Sequence, residues 1–186
     1  RSDTVAGALL AAGSNDPLLD ILQTTIRRKH PELYIFSANT GSSEGLAALN
    51  NGYTDIAWSH LWDPESVQYN TPFIPSHLSR IDAVVVNLFY REIGLIVAPG
   101  NPLAVAGIND LRRPGLRFVN RQAGSGTRLL VDYHLRQGGI EPEDIAGYAD
   151  EVCTHLEVGL AVLSRQADAG VATGSVSRLL GLEFIP

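Results

Sequence analysis

Short apolar runs alternate with helix-period segments along most of the chain. Val5–Ala12, Leu33–Ala38, Asp55–Ser59, Leu116–Val119, Tyr148–Val152 and Ala167–Val171 are apolar runs bounded by turn residues, and they predict buried strands. Between them the spacing predicts helices. The first runs from Pro17 to about His30, with Asn15 or Asp16 as its cap and the proline in its first turn. Ser43–Asn50 is closed by Gly52, and Ile108–Arg112 is short. A further helix carries Leu129, Leu130, Tyr133 and Leu135 on one face and stops at Gly138-Gly139. Thr154–Ser164 and Ser175–Leu180 follow, with a short segment at Glu141–Ile145. Residues 60–80 hold three prolines and no clear period, so they read as a loop with a helical turn near Ser76. Ile81–Tyr90 and Gly94–Val97 are β-rich and apolar, the expected crossing between two lobes, and a new strand begins at Phe184-Ile185-Pro186. Alternation with short connections predicts an α/β fold with largely parallel sheets. The expected lobes are 1–88 and 89–180, with 181–186 returning toward the first.

Composition narrows the class. Of 186 residues, 45% are hydrophobic and 18% charged, the balance of a globular chain with a real core. The net charge of −6 argues against direct nucleic-acid contact by this segment. No apolar run reaches transmembrane length, so no membrane insertion is expected. Arg27-Arg28-Lys29 is the one dense basic run, and its place at a helix end suits the dipole. Cys153 is the only cysteine, which excludes a disulfide framework and a cysteine metal site. The chain contains no Met and begins at Arg1; together with its abrupt end, this predicts an excised domain of a longer or processed protein.

The stretch 117–131 carries the most chemistry. The strand at Leu116–Val119 breaks into Gly124-Ser125-Gly126-Thr127 and a helix follows, with Arg121 just before the turn. A helix start presents unpaired N–H groups and a positive dipole end; glycines allow close approach, and hydroxyls and a guanidinium add donors. Gly, Ser and Thr also cap ordinary turns. The device recurs, however, at Gly13-Ser14, Gly41-Ser42 and Gly174-Ser175, each between a strand-like run and a helical pattern.

Enzyme signatures are absent. Ala123-Gly124-Ser125-Gly126-Thr127 is not G-x-S-x-G, since 123 and 127 are not glycine. Gly126 is followed by Thr127-Arg128 rather than Lys-Ser/Thr, and there is no G-x-G-x-x-G. His30, His60, His77, His134 and His155 show no H-x-x-x-H spacing, and the carboxylates suggest no local pair. No catalytic turnover is expected, and no metal or cofactor.

Several stretches together resemble a known family. They are Gly41-Ser42-Ser43-Glu44-Gly45-Leu46, Gly52-Tyr53-Thr54-Asp55-Ile56-Ala57, Ser59-His60-Leu61, Tyr69-Asn70, Arg91-Glu92-Ile93-Gly94-Leu95, Gly100-Asn101-Pro102, the 118–128 loop, and Thr154-His155 through Gly170. The chain resembles the small-anion branch of the type II periplasmic-binding-protein superfamily, in the form found beside helix-turn-helix DNA-binding domains and in molybdopterin-biosynthesis-type proteins. The resemblance implies two α/β lobes joined by crossing strands, with a ligand cleft between them. It implies molybdate or tungstate as ligand, bound by Ser14, Ser42 or Ser43, Arg121, Ser125, Gly126 and Thr127, with His60, His155 and Thr173 as further contacts. It also implies a sensor or receptor role: the effector domain of a transcription regulator, or alternatively a transport receptor or an anion-delivery domain. The expected setting is cytoplasmic, with a periplasmic or extracellular one left open, an attached DNA-binding domain or transporter as partner, and a homodimer allowed. Trp58, before Ser59-His60, departs from the small residues expected there and either narrows the cleft or fills the core.

A fully ionised tetrahedral oxyanion needs only donors, which these residues supply. Monoprotonated phosphate also needs an acceptor, which would come from Asp168 or Glu44. Cavity radius separates the remaining anions.

Overall fold

The computed structural model describes residues 7–186. Val5 and Ala6, the start of the first predicted strand, lie outside the described residues. The described residues divide into two compact units, one of residues 7–86 with 124–126 and the other of residues 87–123 with 127–186.

The first unit holds a parallel three-stranded sheet of β1 (Ala8–Gly13), β2 (Tyr34–Asn39) and β3 (Ile56–Trp58), in the order β2-β1-β3. Helix α1 (Pro17–Lys29) links β1 to β2, and the Asp16 carboxylate accepts the Leu18 N–H as its cap. The basic end of α1 does more than face the dipole: the Arg27 guanidinium stacks 3.5 Å from the centre of the Tyr34 ring. Helix α2 (Ser42–Asn50) lies directly on β1. Gly45 permits this, since a Cβ there would stand 2.5 Å from the Gly13 Cα and 2.7 Å from the Ala12 carbonyl oxygen. Behind α2, Leu46, Leu61 and Leu78 form the buried cluster, with Phe73, Ile74 and Ile81 packed against it.

Residues 60–80 are more ordered than a loop. β4 (Trp62–Asp63) and β5 (Gln68–Tyr69) form a short hairpin, followed by a 3-10 turn at Thr71–Phe73 and α3 (Ile74–His77). Two-residue strands carry too little periodicity to read from sequence. Trp58 neither fills the core nor stands free. It reaches across the small residues of β1, and its Nε1–H donates to Ser37 Oγ at 2.9 Å.

The expected strand at Ile81–Tyr90 does not form. Residues 82–92 have no regular secondary structure and no ladder partner among the described residues, and Val84 and Tyr90 are 89% and 91% exposed. Strand propensity expresses side-chain packing on a pleated surface, and here no neighbouring strand supplies it.

The second unit holds β6 (Ile93–Val97), β7 (Phe118–Arg121), β8 (Glu151–Val152), β9 (Ala169–Thr173) and β10 (Glu183–Ile185), ordered β10-β6-β9-β7-β8. The sheet is mixed rather than largely parallel. β6 runs antiparallel to both β9 and β10, while β9, β7 and β8 are parallel. Residues 183–185 form an edge strand on β6.

Alternate residues of this sheet serve two cores. Leu95, Val97, Phe118 and Val171 pack with Val131 and Leu135 of α4 (Gly126–Gln137). Ile96, Val119 and Ala172 pack with Val158 and Val162 of α5 (His155–Leu163) and with Leu182. A final helix, α6 (Gly174–Leu180), precedes β10. Helix α5 starts at a capping box: Thr154 Oγ1 accepts the Glu157 N–H, and the Glu157 carboxylate accepts the Thr154 N–H.

Two stability outcomes follow. Gly45→Ala should destabilise the protein by about 1–3 kcal/mol, because backbone atoms rather than flexible side chains meet the added methyl. Thr154→Ala should cost about 1 kcal/mol through the lost cap. Urea unfolding followed by circular dichroism measures both.

Candidate functional site

Parallel strands deliver their following turns to one edge of a sheet, and in open α/β sheets ligands bind outside the carboxyl ends. In the first unit that edge carries Gly13-Ser14 after β1, Thr40-Gly41-Ser42 after β2, and Ser59-His60 after β3. Backbone bonds tie the three ends together. The Gly13 carbonyl accepts the N–H groups of both Thr40 and Gly41, and the Ser14 N–H donates to the Trp58 carbonyl at 2.8 Å.

Ser14, Ser42 and His60 meet there. Ser14 Oγ lies 2.7 Å from His60 Nδ1, and Ser42 Oγ lies 3.3 Å from the same nitrogen. The His60 backbone N–H donates to Ser42 Oγ at 3.3 Å. Ser14 and Ser42 are buried and His60 is partly buried. Asn70, not among the sequence candidates, holds the neighbouring backbone in place. Its Oδ1 accepts the Leu61 N–H, and its own N–H donates to the Leu61 carbonyl. Asn70 sits at φ +62° and ψ −53°, a positive-φ conformation outside the left-handed helical region; the Tyr69-Asn70 pair was the sequence signal for it.

The turn 124–126 belongs to the same unit. The Ser43 N–H donates to the Gly124 carbonyl, Ser125 is buried, and Gly126 begins α4. A Cβ on Gly126 would lie 2.7 Å from the His60 carbonyl oxygen and 2.9 Å from His60 Nε2, so only glycine fits against this ring. Six predicted residues, Ser14, Ser42, Ser43, His60, Ser125 and Gly126, thus lie on turns of the first unit.

The other four are in the second unit. Arg121 ends β7, Thr127 is in the first turn of α4, His155 begins α5 and Thr173 ends β9; all four are buried. Thr173 Oγ1 lies 2.9 Å from Ser175 Oγ. Arg121 is 2% exposed. Its Nη2 donates to the Cys153 carbonyl at 2.8 Å and its Nε to Gln122 Oε1 at 3.3 Å, but its Nη1 has no hydrogen-bond partner. Burial, with the positive field of Arg91 adding to it, pushes this guanidinium down to about 10, so it remains charged at neutral pH. Sequence reasoning missed Arg91 and the Cys153 carbonyl. Arg91 precedes β6, whose antiparallel pairing with β9 carries no local signal.

The neighbouring charges are engaged in structure. Arg128 donates to Asp132, to Glu151 and to the Arg121 carbonyl, and it stacks 4.2 Å from the Tyr148 ring centre. Asp168, considered from sequence as an acceptor for a protonated anion, receives the Arg117 guanidinium at two oxygens and the Arg117 N–H. These bonds hold its carboxyl below the usual range. Glu44, the other sequence acceptor, is exposed. Among the described residues no group of three or more His, Cys, Asp and Glu side chains could hold a metal, and no helix is long and apolar enough to cross a membrane. Two depressions in the second unit, of about 390 and 550 Å³, contain none of the predicted residues.

A sequence profile for the PBP superfamily domain matches residues 23–186. The uncharacterized protein YvgK of Bacillus subtilis is 38% identical over 146 residues, 78% of this chain and 47% of YvgK. The chain thus spans about half the length of that curated relative. Among solved structures, a candidate phosphate ABC transporter substrate-binding protein from Clostridium perfringens, holding phosphate, superposes with a TM-score of 0.70 at 18% identity, over 96% of this chain and 74% of that one. The tungstate ABC transporter protein from Geobacter sulfurreducens gives 0.65 at 15% identity, over 97% and 80%. The phosphate transport receptor from Vibrio cholerae gives 0.53 at 20% identity, over 95% and 75%. With its profile match over most of its length and its two α/β units, the chain belongs to the PBP superfamily domain family and has the type II periplasmic-binding-protein fold.

Proposed function

We propose that this chain is a solute-binding domain for a small tetrahedral oxyanion, without turnover of its own. The observation that carries the reading is Arg121, a buried guanidinium whose Nη1 donor is left unpartnered. An uncompensated buried cation is costly, and an anion accepting that N–H removes the cost. Within the first unit, the buried Ser14, Ser42 and Ser125 offer hydroxyl donors of the kind that suit an oxyanion. Ser43, Gly126, Thr127, His60, His155 and Thr173 complete the proposed set.

Molybdate, tungstate and phosphate are the candidate ligands, in keeping with the phosphate and tungstate proteins among the structural neighbours. Because Asp168 is occupied by Arg117 and Glu44 is exposed, neither sequence-proposed acceptor favours a protonated anion. In the finer reading the anion is molybdate or tungstate, and the domain is the effector part of a transcription regulator.

The test exploits the cost of a buried charge. Arg121→Leu should weaken oxyanion binding by ten- to over a hundredfold in calorimetry, about 1.5–3 kcal/mol for a charge-assisted hydrogen bond. Its melting temperature without ligand should hold or rise, since a partly unsatisfied cation has been replaced by an apolar side chain. Ser125→Ala should lower affinity as well as stability. Unchanged affinity in both variants would leave only a helix cap and a structural arginine. Hydrolysis or group transfer that is lost in His60, His134 or His155 variants would overturn the assignment as a binding domain.

A further inference from the structure

The geometry around His60 assigns it a role beyond supplying one more donor: we propose that the proton on His60 Nδ1 sets whether Ser14 accepts from or donates to the bound oxyanion, so that binding a fully ionised oxyanion takes up a proton at His60. This rests on the oxyanion reading above.

A neutral imidazole has one bare nitrogen and one N–H. With Nδ1 bare, the Ser14 hydroxyl donates to it across 2.7 Å and offers only lone pairs to a ligand. Ser42 lies farther from the same Nδ1, at 3.3 Å; its oxygen accepts the His60 backbone N–H, and its own hydrogen remains a donor whichever way Ser14 points. When Nδ1 carries a proton it donates to Ser14 Oγ, and the Ser14 hydrogen is released toward the ligand. A single proton on His60 therefore turns Ser14 from acceptor to donor and adds a positive charge.

The surroundings set the sign of the coupling. The ring lies against Gly126 within the first unit. An anion bound beside Ser14 favours the charged ring. Asp16, on the segment carrying Ser14, caps α1 through the Leu18 N–H. Glu44 on α2 is exposed, and Asp63, after His60, accepts from Ser66. The turn 124–126 has no titratable side chain.

Imidazole titrates between about pH 5 and 8, so the coupling falls in an accessible range. The state with protonated His60 binds the ionised anion better; affinity is therefore greatest at low pH and declines as pH rises. Between the titration of the imidazole in the free protein and its higher titration in the complex the loss approaches about tenfold per pH unit, the limit for one linked proton, and above both it levels off.

The experiment is calorimetry of the protein with sodium tungstate and with inorganic phosphate, across this pH range and in two buffers of different ionisation heat. For tungstate we expect uptake of up to about one proton per anion. His60→Asn, which keeps an amide near the Nδ1 position but cannot titrate, should bind with an affinity independent of pH and take up no proton. Nitrogen NMR of the ligand-free protein should find Nδ1 bare in the neutral ring. Tungstate binding without proton uptake, uptake that persists in His60→Asn, or a neutral ring protonated at Nδ1 would each overturn the coupling alone. No heat with either anion at any pH would overturn the oxyanion reading and the coupling with it.

Discussion

The close approach of helix α2 to strand β1 is the constraint on which the first unit depends. With the Gly45 Cβ position only 2.5 Å from the Gly13 Cα, helix and strand meet backbone to backbone. That contact fixes the height of α2 above the sheet, and so the place of Ser42 in its first turn. Gly13 adds a second restriction. It sits at φ +135°, and a Cβ there would collide with the Trp58 carbonyl oxygen. The strand therefore ends in a conformation open only to glycine, which turns Ser14 toward His60. Two missing side chains thus do the positioning for two hydroxyls, and a third, at Gly126, makes room for the imidazole. Interiors packed to crystal-like density tolerate no added methyl at such points.

Much of this order is legible in the sequence because it is local. A strand, a Gly-Ser turn and a helix are neighbours along the chain, and each has its own chemistry: apolar run, positive φ, cap. The turns at 13–14, 41–42 and 124–127 could be located for that reason, as could the Asp16 cap and the Thr154 start of α5. The meeting of Ser14 and Ser42 on one ring nitrogen was not legible. It follows from strand order and register across the sheet, which the residues of any one turn do not encode. Arg91 escaped for the same reason, because its influence on Arg121 crosses between segments thirty residues apart. The failure at 82–92 is of another kind. Three valines, a leucine and aromatics read as a strand, but propensity without a partner leaves an exposed, irregular segment.

The arginines of the second unit show why residue type alone assigns no role. Arg117, Arg121 and Arg128 lie within twelve positions of one another, on or near the same strand. Arg117 is half exposed and forms a bidentate pair with Asp168, so it is neutralised at the surface. Arg128 is largely buried, but its donors reach Asp132, Glu151 and a backbone carbonyl, and its face rests on Tyr148. Both are satisfied by the fold, and for such arginines the local geometry is stabilising or neutral. Arg121 differs: it is buried as deeply as the core, bonds one carbonyl and one amide oxygen, and keeps a donor unspent. A chain that maintained this arrangement for stability alone would do better with a leucine. Desolvation, with the field of Arg91, holds Arg121 near 10, and this unspent buried donor is what the proposed oxyanion site is built on.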